Sequence, residues 1–146
     1  MTMNISLNIL TMLFTRLCSI KHNYMNIEIF RDYCIAKPGV TEGFPFDETT
    51  LVFKVMGKMF ALTDLDGELS INLKCDPEKT ISLREEYPAI KPGFHMNKKH
   101  WNTIEIDNSI PDSLVFKLTD HSYELIVNSL TKLKKEQLKK LKNKSI

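Results

Sequence analysis

The chain has 146 residues, 42% of them hydrophobic and 26% charged, which suits one ordinary globular domain burying roughly two-thirds of its unfolded surface. Its net charge of +2 hides a split: residues 132–146 hold seven lysines against one glutamate, residues 1–24 add Arg16 and Lys21, and 25–131 is net acidic. Net charge therefore gives no simple argument for nucleic acid. The three cysteines, Cys18, Cys34 and Cys75, are too widely spaced for a zinc site, and the expectation is reduced thiols in a cytoplasmic protein with no metal.

Residues 1–24 contain an apolar run broken by Asn8, Thr11 and Arg16, which cannot span a bilayer. It lacks the basic start and the small-residue cleavage site of a signal peptide. The expectation is an appended, weakly structured leader before a domain that starts at Met25. The alternative is an extra helix laying Ile5, Ile9, Leu13 and Leu17 on that domain. Asn26 is a plausible N-cap for a helix to about Ala36, with Ile27, Phe30 and Cys34 on its inner face. Pro38-Gly39 stops it, and Gly43-Phe44-Pro45-Phe46-Asp47 reads as a loop whose aromatics plug the sheet edge.

Residues 50–56 and 58–63 are rich in β-branched and aromatic types on either side of Gly57, and predict a hairpin. Asp64-Leu65-Asp66-Gly67 is a second turn, too incomplete for a calcium loop. Glu68 to Lys74 then forms a third strand with Leu69, Ile71 and Leu73 alternating inward. Asp76-Pro77-Glu78 starts a helix that ends before Pro88. A loop at Ile90-Lys91-Pro92-Gly93 precedes a strand over 100–107, and Asn108-Ser109 turns. Pro111 opens a short helix capped by Ser109 or Ile110, and Asp120 caps a final one. Beyond Leu130 the lysines dominate, around a stripe of Leu130, Leu133, Leu138 and Leu141. A basic amphipathic helix for nucleic acid or an acidic partner is one reading; a solvated, fraying terminus is the preferred one.

The stretch Lys91-Pro92-Gly93-Phe94-His95-Met96-Asn97-Lys98-Lys99-His100-Trp101 stands apart, because it puts cations, imidazoles and the only tryptophan together. With Gly43-Phe44-Pro45-Phe46, Phe53-Lys54-Val55, Gly57-Lys58-Met59-Phe60-Ala61, Lys74-Cys75-Asp76-Pro77 and Ser122-Tyr123, it resembles the MmcQ/YjbR family over about residues 25–133. Asp47 departs from the pattern, since members commonly carry glycine there. The resemblance implies an α+β domain: an N-terminal helix, an antiparallel β-sheet meander, and helices packed on one side. The family is likened to frataxin-like (CyaY-like) and double-wing DNA-binding folds, and its DNA-binding label rests on fold analogy.

No nucleotide-loop, metalloprotease or hydrolase signature occurs, so no enzyme activity and no cofactor are expected. For DNA, the contact set is Lys54, Lys58, Lys74, Lys91, Lys98 and Lys99 with His95, His100 and Trp101. Such a face suits sequence-tolerant phosphate contact, with Trp101 either stacking on a base or packed beneath the lysines. Two alternatives stay open. One is a protein-interaction domain using Glu78, Glu85 and Glu86 against a basic partner. The other is a small-ligand pocket between Phe44, Phe46, His95 and Trp101.

Overall fold

The computed structural model describes residues 24–144, so all of the expected leader except Tyr24 lies outside the described residues. Helix α1 (Ile27–Ile35) starts where expected, because the Asn26 side chain accepts a hydrogen bond from the Ile29 amide. Strands β2 (Thr50–Val55) and β3 (Lys58–Asp64) are joined through Met56 and Gly57, both at positive φ, as a tight hairpin turn requires. Strand β4 (Ser70–Lys74) leads into helix α2 (Pro77–Glu86), capped by Asp76. Strand β6 (Trp101–Glu105) and helices α3 (Asp112–Ser129) and α4 (Lys132–Lys144) complete the larger elements.

Two short strands were not anticipated. Strand β1 (Val40–Gly43) pairs with β2, and β5 (Ile90–Pro92) pairs with β6. Both are edge strands whose partners supply most of the order, so their own sequences carry little β pattern. The result is one six-stranded antiparallel sheet in the order β1-β2-β3-β4-β6-β5. Register sorts its side chains onto two faces. Leu51, Phe53, Val55, Ala61, Ile71, Leu73 and Ile104 point to one face and join the core with Phe30 and Cys34 of α1 and Val115, Leu118, Tyr123 and Ile126 of α3. Among the described residues no helix packs on the other face, although Val52, Leu62, Asn72 and Thr103 there are buried. The fold is therefore α+β, as the resemblance implies.

Four further expectations are corrected. The Phe44-Pro45-Phe46 loop is no plug: both aromatics are exposed, and Asp47 holds the loop by accepting from the Thr49 and Thr50 amides. Residues 112–129 form one helix, with Pro111 at its cap position and Ser109 tied instead to Asp107. Asp120 lies inside that helix, where it accepts from Tyr33 Oη and pairs with Lys37. The C-terminal lysine segment is docked, since Leu138 is buried against the domain beside Gly39.

Three protonated groups link this core to pH. Burial pushes the Cys34 thiol up to about 12. Tyr33 is raised to about 12 by burial and then by its bond to Asp120, and Tyr123 to about 12 by burial and then by Glu124. In each case the folded pKa lies above the unfolded value. The folded state thus keeps protons that the unfolded chain releases, and this stability is complete below about pH 9 and lost as pH rises toward 12. Urea unfolding at about pH 8 and about pH 10.5 should show a lower midpoint at the higher pH. Equal midpoints would contradict the assignment.

Candidate nucleic-acid interface

Register orders the open sheet face in rows. Thr50, Asp64, Ser70 and Glu105 lie at one end. Val52, Leu62, Asn72, Thr103 and Lys91 form the middle. Lys54, Met59, Lys74 and Trp101 lie at the other end. The face therefore grades from acidic to basic over two rungs, roughly 13 Å. Lys54 and Lys74 are half-buried and have no ion-pair partner among the described residues.

The proposed contact residues separate on this frame. Lys54, Lys74 and Trp101 share one row, as one continuous face requires. Lys91 is paired with Glu105 at 2.6 Å, and Lys98 Nζ donates to the Gly93 carbonyl at 3.0 Å. Lys58 leaves the face and donates to the Ser129 carbonyl at the end of α3. Lys99 is exposed, His95 is exposed at φ 57, and His100 is half-buried with its carbonyl accepting from the Cys75 amide. Trp101 is buried yet outside the helix-covered core, beneath the 93–100 loop.

Arg84 of α2 organises that loop, a role its sequence position did not signal. Its Nε donates to Asn102 Oδ1 at 2.8 Å and its Nη2 donates to the Trp101 and Lys98 carbonyls. Gly93 lets the loop close, because a Cβ there would sit 2.9 Å from both Trp101 Cβ and the Trp101 carbonyl. The cations near Trp101 are thus partly spent on holding their own backbone.

Among the described residues the largest group of exposed lysines without an ion-pair partner is elsewhere. Helix α4 shows Lys132, Lys139, Lys140, Lys142 and Lys144 to solvent, and Lys134 Nζ donates to the Met56 carbonyl at the β2–β3 turn. That contact seats the basic helix at the end of the sheet where Lys54 and Lys74 stand. Among the described residues no group of histidine, cysteine and carboxylate side chains is arranged to hold a metal ion. No described helix is long and apolar enough to cross a membrane.

The residues that carry the family resemblance meet in space. The Ser122 hydroxyl bridges the Phe60 carbonyl and the Lys74 amide, and Tyr123 Oη donates to the Pro38 carbonyl. The Asp76 amide donates to His121 Nε2 at 3.2 Å. The chain belongs to the YjbR family, whose family model matches residues 35–125. It is 35% identical to YjbR of Escherichia coli (strain K12) over 118 residues, covering 80% of this chain and 100% of that protein. It is 43% identical to YbdF of Escherichia coli O157:H7 over 96 residues, 65% of this chain and 79% of that one. Among solved structures, Deinococcus radiodurans DR2400, with its DUF419 domain, superposes with a TM-score of 0.74 at 40% identity, over 77% of this chain and 87% of that one. A Pseudomonas syringae protein follows the same fold with a TM-score of 0.62 at 29% identity, over 69% of this chain and 98% of that one.

Proposed function

We propose that this protein is a non-enzymatic, sequence-tolerant binder of nucleic-acid backbone, with DNA as its ligand. The reading rests on one observation: α4 is fixed against the β2–β3 turn through Lys134 and Met56, two residues along the chain from Lys54. A positive surface on rigid elements meets phosphates at little entropic cost, and it carries no base-reading geometry. The footprint differs from the one predicted around Lys91–Trp101. It centres on α4 with Lys54 and Lys74, while Lys58, Lys91 and Lys98 serve their own fold.

Fluorescence anisotropy with labelled duplex DNA tests this. For Lys139→Ala/Lys140→Ala/Lys142→Ala, the slope of log affinity against log salt should fall by about 0.9 for each lost phosphate contact. Affinity should fall by the same factor on unrelated sequences. Lys54→Ala/Lys74→Ala should give a smaller loss of the same kind. No binding at low salt, or a slope indifferent to the α4 substitutions, would overturn the proposal.

A further inference from the structure

The open sheet face also holds a cavity of about 700 Å³ that backbone binding does not use. Its floor is laid by Met59 and Leu62 of β3, Asn72 of β4 and Thr103 of β6. Its walls come from two separate loops, through Phe46 on one side and Phe94 and His95 on the other. Phe46 and Phe94 are each 68% exposed, an unusual state for phenylalanines that line a concavity of ligand size. Of the four residues named in the sequence-based pocket, Phe46 and His95 are here. Phe44 lines a different groove beside α1, and Trp101 stays beneath its loop.

The polar centre of the floor is oriented by a relay. Thr103 Oγ1 accepts from the Phe94 amide at 2.9 Å and donates to Asn72 Oδ1 at 2.5 Å. With the Asn72 amide oxygen accepting from Thr103, its NH2 group is left for other partners, and Asn72 lines the cavity. Asn72 is only 7% exposed, and its Nδ2 has no hydrogen-bond partner among the described residues. Thr80 Oγ1 is the one sealed side-chain polar atom without a partner among the described residues, so Asn72 Nδ2 is reached from the cavity and is open to water or to an acceptor that displaces it.

Charge decides what else that molecule carries. Asp47, Asp64, Asp66 and Glu68 also line the cavity, and none pairs with a lysine or arginine among the described residues. Hydrogen bonds from Thr50 and Thr49 hold the Asp47 carboxyl below the usual carboxylate range. Lys54 and Lys74 stand at the far end of the same face and do not line the cavity. Phosphate is repelled there.

We propose that this cavity binds a small organic cation with a flat apolar body and a carbonyl group. The body lies between Phe46 and Phe94, the carbonyl accepts from Asn72 Nδ2, and the cationic group faces Asp64, Asp66 and Glu68. The site is independent of nucleic-acid binding, since it shares none of the lysines assigned to that surface.

The test is a proton–nitrogen NMR titration of the full chain with two matched probes. L-phenylalaninamide carries the ring, the carbonyl and a positive charge; N-acetyl-L-phenylalanine carries the ring and carbonyl with a negative one. Saturable shifts are expected at the Asn72 side-chain amide and the Phe94 backbone amide with the cation, and affinity at least about tenfold weaker for the anion. Asp66→Asn/Glu68→Gln, on the exposed rim, should weaken the cation about threefold or more without changing the thermal midpoint. Three results would each overturn the proposal: equal affinity for the two probes, no saturable shift at those amides up to about 20 mM, or unchanged binding in the double variant.

Discussion

Replacing Leu138 with alanine is expected to cost about 3 kcal/mol of unfolding free energy and roughly 10 °C in midpoint. Leu138 is 2% exposed and is the one buried residue of α4, so its side chain anchors a helix that is otherwise mostly lysine. The site cannot relax easily. Gly39, at φ +73, brings its backbone so close that a Cβ there would lie 2.7 Å from Leu138 Cδ1, with Met56 beside it. Removing the isopropyl group leaves a hole between a rigid turn and the hairpin, and the transfer and cavity terms add. Leu133, on the same helix and 65% exposed, provides the control, and Leu133→Ala should change stability by less than about 0.5 kcal/mol. Thermal unfolding followed by circular dichroism reads both. If Leu138→Ala left the midpoint unchanged and only reduced helical signal, α4 would be a separately fraying segment, and the surface proposed for DNA would lose its rigid seat.

Substituting Ser122 with alanine should cost about 2–4 kcal/mol, although only one oxygen is removed. The sheet explains why. Phe53 pairs with Ala61 and Lys54 with Met59, so Phe60 is the extra residue of a bulge in β3. On its other side the β3–β4 ladder ends at Ala61 and Leu73. The Phe60 carbonyl and the Lys74 amide are the pair that would have made the next rung. Ser122 Oγ takes both, donating to Phe60 O at 2.5 Å and accepting from Lys74 N at 2.9 Å. Ser122 is fully buried, so neither group regains water when the hydroxyl goes. Two orphaned backbone groups at about 1–3 kcal/mol each set the scale. Urea unfolding gives the loss, and faster hydrogen exchange at the Lys74 amide locates it. Ser129→Ala, which removes a part-buried local bond from an exposed residue to the Ile126 carbonyl, should fall within about 0.5 kcal/mol. A Ser122→Ala protein as stable as its parent would mean the sheet closes the rung by itself.

Local chemistry alone specified several elements. The Asn26 and Asp76 caps, the proline opening α2 and the Met56-Gly57 turn all act within a few residues of where they are written, and the helix and strand starts they predict are present. The ordered set of family residues was also legible, and with it the α+β class and the helices on one side. Edge strands β1 and β5 were not legible, since their order comes from neighbours in β2 and β6. Nor was the continuity of α3: Asp120 has the chemistry of a cap, but Tyr33 and Lys37, from another helix and its exit, supply its partners instead.

The candidate site shows the same division more sharply. Sequence by itself determined which residues carry charge, that Lys91–Trp101 concentrates cations around the only tryptophan, and that residues 132–146 hold the largest lysine excess. Only the tertiary structure decided where those charges go. Register put Lys54, Lys74 and Trp101 in one row, Glu105 took up Lys91, and carbonyls of Gly93 and Ser129 took up Lys98 and Lys58. It also buried Asn72 in the lining of a cavity, which no local pattern announces. The physical reason is range. Caps and turns are settled by neighbours in the chain, whereas a side chain's partner is settled by packing between segments as far apart as Phe60 and Ser122, 62 residues along the chain.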